Sequence, residues 1–342
     1  MHAIETEGLT KDFGFWKRRF RAVDGLNLRV EEGTIHGFLG LNGAGKTTTI
    51  KMLIGAIRPT QGSASIKGQP AGSVRARSLI GYSPEHPRFY DMNALDYLEL
   101  MGRICGVDGG RARSRAEELL ETFDLGHAKD RSVQGFSAGM SQKLSLVQAL
   151  IHEPDILILD EPTSNLDPVA RYGLLKKLRE LVTERELTVL VSSHILSEIE
   201  KVSDEVTIIN NGRTVVENSI DGLKQEFAGN HFILDASDNQ QAFSLLSQEA
   251  SAEKVWLDKK HKVNIMAADI ERLRFVLPKL LADNGLSLNA FAAKEFSLES
   301  IFMTVIGEGW DEQHQDEIDG AWQESLSGSV TDYYSRIGGY QR

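Results

Sequence analysis

The sequence is poor in cysteine, with Cys105 as the single instance in 342 residues. One cysteine cannot close an intrachain disulfide, which excludes the disulfide-stapled secreted folds and fits a reducing compartment. Cys105 itself is interpreted as a small apolar residue on a helix. The first five residues lack the basic segment and the apolar run of a signal peptide, so none is expected.

Long apolar runs and basic residues are also scarce. No uninterrupted apolar run approaches the ~18 to 20 residues of a membrane-spanning helix, so at a membrane another chain would have to span it. The 38 Lys and Arg against 49 Asp and Glu give a formal net charge of −11. No general positive field favours nucleic acid, and no nucleic-acid partner is expected. The 41% hydrophobic fraction is that of globular domains.

One glycine-rich stretch organises the rest of the chain, and it fits the pattern G-x-x-x-x-G-K-[ST]. It reads Gly40, Leu41, Asn42, Gly43, Ala44, Gly45, Lys46, Thr47, with Thr48 following. The pattern lies between an expected buried strand, 34–39, and an expected helix, 47–56. Glycines allow successive backbone N–H groups to face phosphate oxygens, and the helix N-terminus adds partial positive charge.

Two side chains extend this loop chemistry. Lys46 can reach the β- and γ-phosphates of a nucleotide, and the Thr47 hydroxyl can ligate Mg²⁺. A plain glycine turn between strand and helix would explain the glycines but not Lys46 and Thr47 at these positions. The stretch therefore predicts binding of a nucleoside triphosphate with Mg²⁺.

Two carboxylates follow a second apolar run, at 156–159. Four consecutive apolar residues indicate a buried parallel strand, whose carboxyl end is where such sheets bind ligands. Adjacent strand residues point to opposite sides, so Asp160 and Glu161 are expected to have different tasks. Asp160 is predicted to hold Mg²⁺ or its water, and Glu161 to polarise a water for attack on the γ-phosphate.

Two weaker signals gain meaning from their positions. A lone histidine usually carries no function, but His194 stands at the end of the next core strand, 187–193. Ser137 occupies an N-cap position and Gly139 exposes backbone in the first turn of a helix, which makes a second potential anion site. Taken alone, this second pattern is only a capped helix.

An aromatic and basic segment precedes the phosphate-binding core. An aromatic ring there can stack on adenine, since stacking needs only a π-face. Phe13 is the first choice, with Phe15, Trp16 and Phe20 as competitors. Any one of these rings can equally serve to cover the sheet edge.

In their order along the chain, these motifs resemble those of the nucleotide-binding subunits of ABC transporters, over about residues 1–218. The matching segments are Walker A at 40–47, a signature-like 136–140, Walker B at 156–160, a D-loop at 165–167 that contains Asp167, and a switch histidine at His194. The resemblance implies ATP and Mg²⁺ as cofactors. It also implies Phe13 as the adenine-stacking residue, Glu161 as the general base and His194 as the γ-phosphate sensor.

The resemblance further implies a head-to-tail dimer. Ser137, Ala138, Gly139 and Met140 of one copy would cover the ATP held by Lys46 of the other. Three positions depart from the usual pattern. Glu85 stands where the family has glutamine, which puts its place among the metal ligands Thr47 and Asp160 in doubt. Ala138 replaces the first signature glycine, and Met140 replaces a common glutamine; both are similar to variants among export ATPases.

The predicted fold class is α/β, a P-loop NTPase of ABC type with an antiparallel β subdomain and a helical subdomain at about 86–150. Residues 219–306 follow the order β-α-β-β-α-β, which predicts a small ferredoxin-like α+β domain with a regulatory, dimerising or docking role. The tail, 307–342, contains eight acids and two arginines together with five aromatics. Disorder is its default interpretation, and docking on a partner is the alternative.

The resemblance implies an ATP-hydrolysing subunit on the cytoplasmic face of the cell membrane, bound to a separate permease, with export as the favoured direction. Two other classes are weighed. A soluble ABC-type ATPase of DNA repair or translation would need a long coiled-coil insertion or a second cassette, and the sequence contains neither. A non-hydrolysing regulatory module would lack Glu161 or Lys46, and both are present.

Overall fold

The computed structural model describes residues 2–14 and 20–306. The chain divides into two compact units, Met1–Gly222 and Leu223–Arg342. The predicted tail, 307–342, and the competitors Phe15 and Trp16 lie outside the described residues, and the domain limits inferred from the sequence stay predictions. Within the described part, no helix combines the length and apolar character needed to cross a membrane.

The described residues of the first unit form ten strands and the helices that connect them. The strands are β1 (His2–Phe13), β2 (Phe20–Glu31), β3 (Ile35–Leu39), β4 (Gln61–Ile66), β5 (Gln69–Pro70), β6 (Ile80–Ser83), β7 (Ile156–Asp160), β8 (Thr188–Ser193), β9 (Glu205–Asn210) and β10 (Arg213–Ser219). The helices are α1 (Lys46–Leu53), α2 (Val74–Ser78), α3 (Ala94–Ile104), α4 (Gly109–Thr122), α5 (Ala138–Leu150), α6 (Pro168–Arg185), α7 (Leu196–Val202) and α8 (Ile220–Ala228), in which the boundary between the units falls.

The central sheet has the order β10-β9-β3-β8-β7-β6. Strands β9, β3, β8, β7 and β6 run parallel, and β10 joins the edge antiparallel to β9. The parallel strands β3, β7 and β8 are buried along their whole length, as continuous apolar runs predict. Their carboxyl ends therefore meet at one edge of the sheet.

A second, antiparallel sheet has the order β2-β1-β4-β5. One hydrophobic cluster connects it with the central sheet and α1, and includes Leu26, Phe38, Ile50 and Ile158. Helices α3, α4 and α5 pack against one another, so a helical subdomain is present as the fold class predicts, while its limits at about 86–150 stay a prediction. In α3, Asn93 caps the amino end by accepting a hydrogen bond from the Asp96 N–H.

In the second unit, the described residues up to 306 form a four-stranded sheet. Its elements are β11 (His231–Ala236), α9 (Asn239–Leu246), β12 (Ala252–Leu257), β13 (Val263–Ala267), α10 (Ile270–Asp283), β14 (Leu288–Ala293) and α11 (Leu298–Ile306). The order β12-β13-β11-β14 with antiparallel neighbours is the ferredoxin-like arrangement, so that prediction is confirmed. Leu234, Ile265, Leu273 and Leu277 belong to its apolar core.

A buried histidine lies on β11 of this unit. His231 is 1% exposed, its Nε2 lies 3.0 Å from Oδ1 of Asn264, and its ring centre is 4.9 Å from that of Trp256. Burial, with a smaller effect from the nearby Lys294, lowers the pKa of His231 from 6.5 to about 4, against the opposing hydrogen bond to Asn264. The folded unit therefore holds this ring neutral under conditions in which an unfolded chain would protonate it.

We expect the second unit to lose stability as the pH falls from about 6.5 to about 4. Over this range His231 binds a proton in the unfolded chain but stays neutral in the folded unit. This difference lowers the free energy of unfolding by on the order of 3 kcal/mol once the pH reaches about 4. Hydrogen exchange of β11 and β13, corrected for the intrinsic rate at each pH, measures the loss. His231→Gln should flatten this dependence, and the exposed His261→Asn is the control that should keep it. An equal acid loss in both variants would contradict the assignment.

Candidate functional site

The phosphate loop runs from the carboxyl end of β3 into α1, and its glycines are required by geometry. Gly45 has φ 109°, and a Cβ there would lie 2.7 Å from the carbonyl oxygen of Ala22. A Cβ on Gly40 would lie 2.7 Å from the Ile209 carbonyl oxygen. Both positions exclude larger residues, because real Cβ atoms do not approach backbone so closely. The loop is therefore shaped by close backbone packing on both sides.

Lys46 opens α1 and turns back over the loop. Its side chain is 6% exposed, and Nζ donates a hydrogen bond of 2.6 Å to the Gly40 carbonyl oxygen. The same Nζ lies 3.3 Å from Oε1 of Glu161. A buried ammonium group needs anionic or carbonyl partners, and a phosphate would offer the same kind of partner.

Asp160 ends β7 and is almost fully buried. Its Oδ1 accepts hydrogen bonds from the Thr47 hydroxyl at 3.3 Å and from the Ser192 hydroxyl at 2.7 Å. Ser192 was not among the site residues predicted from the sequence. Burial, together with the charge of Asp160, raises the pKa of Tyr82 to about 12. Tyr82 therefore stays protonated beside the carboxylate at neutral pH.

Glu161 directly follows β7, and its backbone is left-handed, with φ 49°. Its N–H donates to the Ser192 hydroxyl at 3.1 Å, and its side chain is 7% exposed. Its Oε2 lies 2.8 Å from Nδ1 of His194, and this nitrogen donates because a carboxylate only accepts. The different directions of Asp160 and Glu161 thus follow from this backbone turn rather than from strand alternation alone.

Mg²⁺ was predicted at Thr47, Asp160 and Glu85. Among the residues that the structure describes, no group of three or more His, Cys, Asp or Glu side chains forms a metal site. Mg²⁺ usually binds through one or two carboxylates together with phosphate oxygens and water. The adjacent oxygens of Thr47 and Asp160 fit that mode. Glu85 lines the same cavity, and its place as a ligand stays a prediction.

A cavity of about 280 Å³ lies over the phosphate loop. It is lined by Phe20, Ala22, Leu41, Asn42, Gly43, Gly45, Lys46, Thr47, Thr48, Glu85, Glu161 and His194. Phe20, not Phe13, is the aromatic residue in this lining. Phe13 is the strand partner of Phe20, and its ring lies 5.2 Å from Nζ of Lys11. Of the two candidates that the structure describes, Phe20 therefore lines the cavity, and the assignment of the adenine contact to either ring stays a prediction.

The signature residues are not part of this cavity lining. Ser137 caps α5 by accepting a hydrogen bond of 3.2 Å from the Met140 N–H, and Ala138 and Gly139 form the first turn. Asp167 caps α6, because its Oδ1 accepts hydrogen bonds from the N–H groups of Val169 and Ala170, both at 3.0 Å. Within one copy, the signature segment and the phosphate loop thus form separate structures.

A larger cavity, of about 800 Å³, lies at the opposite, amino-terminal ends of β7 and β8. Its charges are largely paired within the chain. Lys67 lies 3.1 Å from Asp155, and Arg115 lies 3.6 Å from Glu153. This cavity has neither a glycine-rich loop nor a helix amino terminus with a lysine, so the chemistry is assigned to the smaller one.

Comparisons with known proteins agree with this geometry. A family model described as ABC transporter matches residues 23–164. The bacitracin transport ATP-binding protein BcrA of Bacillus licheniformis is 37% identical over 309 residues, which cover 90% of this chain and 98% of that protein. The daunorubicin/doxorubicin resistance ATP-binding protein DrrA of Streptomyces peucetius is 34% identical over 323 residues, with 92% and 96% covered.

Solved structures show the same fold. A structure of the ATP-binding subunit of an ABC transporter has 31% identity and a TM-score of 0.59, and covers 66% of this chain and 93% of its own. A dimeric ATP-binding cassette, MJ0796 with ADP and Pi, has 22% identity and a TM-score of 0.59, with 64% and 98% covered. Since relatives above 30% identity match along nearly their whole length, the chain belongs to the ABC transporter family and is an ATP-binding, ATP-hydrolysing subunit of it.

Proposed function

We propose that two copies of this chain, or one copy and a related subunit, close head to tail around two ATP molecules and thereby power an export system. One observation carries this proposal: Lys46 and Glu161 share one cavity, whereas Ser137 and Gly139 do not line it. A second copy can supply a further helix N-terminus, that of α5, beside the N-terminus of α1 that already lines the cavity. Helix N-termini bind phosphate through free N–H groups and partial positive charge.

The proposed chemistry assigns a separate task to each side chain. Lys46 exchanges its contact with Glu161 for the β- and γ-phosphates, which frees Oε1 of Glu161 to accept a proton from water. His194 donates to Oε2, so it fixes the direction in which the carboxylate faces. Thr47 and Asp160 would hold Mg²⁺, with Glu85 as a further candidate, and the bound ion would neutralise phosphate charge.

We propose that closure and reopening of the ATP-bound pair drive transport through a separate membrane protein. ATP that binds only the closed pair stabilises that state, and its hydrolysis removes the stabilisation. We propose that a separate permease chain spans the membrane and that this subunit binds it from the cytoplasmic side. The domain predicted at 219–306 is proposed to be an accessory domain, because no phosphate loop or metal cluster occurs in its described residues.

Both alternatives are less well supported. A DNA-repair or translation ATPase is disfavoured by the relatives BcrA and DrrA, which are named as transport and resistance proteins. A non-hydrolysing regulatory module is disfavoured by the buried contacts of Glu161 with Lys46 and His194. A phosphate-release assay on the purified chain separates this module from an ATPase.

Glu161→Gln should trap ATP and convert the protein into a stable dimer, because the amide keeps the side-chain shape but cannot accept the proton of water. Size-exclusion chromatography with and without MgATP measures the change. The wild-type chain, which hydrolyses its ATP, should remain mostly monomeric under the same conditions.

Two double variants test the in-trans geometry. Lys46→Ala combined with Glu161→Gln should lose nucleotide binding and the dimer together. Gly139→Asp combined with Glu161→Gln should keep nucleotide binding and lose only the dimer, since a carboxylate would repel the partner's phosphates. Normal ATP turnover by Glu161→Gln would reassign the base.

Phe20→Ala should weaken ATP binding by about tenfold, because stacking on a base contributes about 1 to 3 kcal/mol. Phe13→Ala, its strand partner, is the matched control and should change affinity by less than about twofold. Titration with a fluorescent ATP analogue measures both variants. The opposite order of effects would return the adenine contact to Phe13.

Export is proposed because the relative DrrA is a daunorubicin/doxorubicin resistance protein. Inside-out vesicles that contain this chain and its co-purified membrane partner should accumulate an exported compound only with MgATP. Bacitracin and daunorubicin are the first compounds to test, and Glu161→Gln vesicles are the control. ATP-dependent loss of a preloaded compound from these vesicles would instead indicate import.

A further inference from the structure

Arg171 connects two segments that flank the proposed catalytic pair. It lies one turn into α6, the helix that Asp167 caps, and its Nε donates a hydrogen bond of 2.7 Å to the Leu166 carbonyl oxygen. Its Nη1 lies 3.3 Å from Oε1 of Glu198 on α7. One guanidinium group therefore joins the loop that ends at Asp167 to a second helix.

Glu198 gives this contact its importance. It occupies the first turn of α7, which begins two residues after His194. The Glu198 side chain is mostly buried, and its Oε2 has no hydrogen-bond partner among the described residues. Among the described residues, Arg171 is the cation paired with this buried carboxylate, so its removal would leave Glu198 without a paired charge and weaken the connection between α6 and α7.

Hydrogen bonds between residues close in the chain continue the connection from Arg171 to Glu161. The Glu161 carbonyl oxygen accepts from the Ser164 hydroxyl at 3.1 Å, and the Leu166 N–H donates to the Thr163 carbonyl oxygen at 3.1 Å. The loop 161–167 is thus a run of hydrogen-bonded turns. His194, which precedes α7, contacts Oε2 of Glu161 at 2.8 Å, so the second segment that Arg171 holds is also connected to Glu161.

We propose that Arg171 is a positioning residue. It fixes the position of the loop that ends at Asp167 relative to α7, the helix that follows His194. Contact of Asp167 with the second copy would then set the geometry of the Glu161–His194 pair. This inference rests on the proposed head-to-tail dimer. Arg171 does not line the cavity over the phosphate loop, so it acts through these other residues.

The planar fork of arginine suits this task better than lysine does. Nε and Nη1 contact two acceptors at once, the Leu166 carbonyl and Glu198, along fixed directions. A lysine ammonium group at this site can reach one of them well, but not both. Arg171→Lys should therefore keep the charge and lose the connection.

The same helix provides a matched control. Arg179 lies two turns further along α6 and forms a two-pronged pair with Asp204, at 2.7 and 2.8 Å. Asp204 also accepts the Ile35 N–H at the start of β3, away from the catalytic edge. Loss of Arg179 removes a comparable arginine–carboxylate pair from α6 without touching the Asp167 loop.

The test measures kcat and KM for ATP and the thermal midpoint of the full chain. Arg171→Gln and Glu198→Gln should each lower kcat about tenfold and change KM by less than about twofold. The double variant should be no slower than the slower single variant, because both changes break one connection. Arg171→Lys should lose kcat with an unchanged thermal midpoint, whereas Arg179→Gln should lower the midpoint and retain kcat.

Two results would overturn the inference: a kcat loss in Arg171→Gln and Arg171→Lys no larger than that in Arg179→Gln, or a double variant whose loss is the product of the two single losses. The proposed function fails separately. If wild-type turnover does not depend on Glu161, or if Glu161→Gln forms no dimer with ATP, the dimeric mechanism is wrong regardless of Arg171.

Discussion

The parallel alignment of β3, β8 and β7 is the constraint on which the site depends. It places Lys46, Asp160 and His194 at one edge of the sheet although they are far apart in the chain. β8 lies beside β7, so Ser192 bonds Asp160 across the two strands, and His194, two residues further along the chain, contacts Glu161. The site depends on the register of these strands, because a shift of one residue would turn their side chains to the opposite face of the sheet.

The Lys46–Glu161 ion pair gives the site a defined polar structure. Both groups are buried, and each reduces the cost of holding the other away from water. A nucleotide must compete with Glu161 for Lys46, and this competition would free the carboxylate only when phosphate is present. Under the proposed mechanism, the general base is thus available when there is ATP to attack.

The sequence predicted most of the fold because its signals were local. Continuous apolar runs predicted β3, β7 and β8, and the alternation of helices and strands predicted the βαββαβ unit. It did not predict β9 and β10, whose place is fixed by pairing with β3 at the sheet edge. Ser192 was also missed, because a serine gains meaning only from the carboxylate that lies opposite it on the neighbouring strand.

The sequence by itself determined the chemistry that the loop offers: glycines where backbone must pass closely, a lysine and a threonine at a helix start, and two acids after a buried strand. These signals lie within a few residues of one another. Only the tertiary structure decided that Phe20 rather than Phe13 lines the cavity and that Glu161 turns toward Lys46 and His194 through left-handed backbone. Such contacts join residues distant in the chain, and their geometry depends on strand pairing and backbone direction that no local pattern specifies.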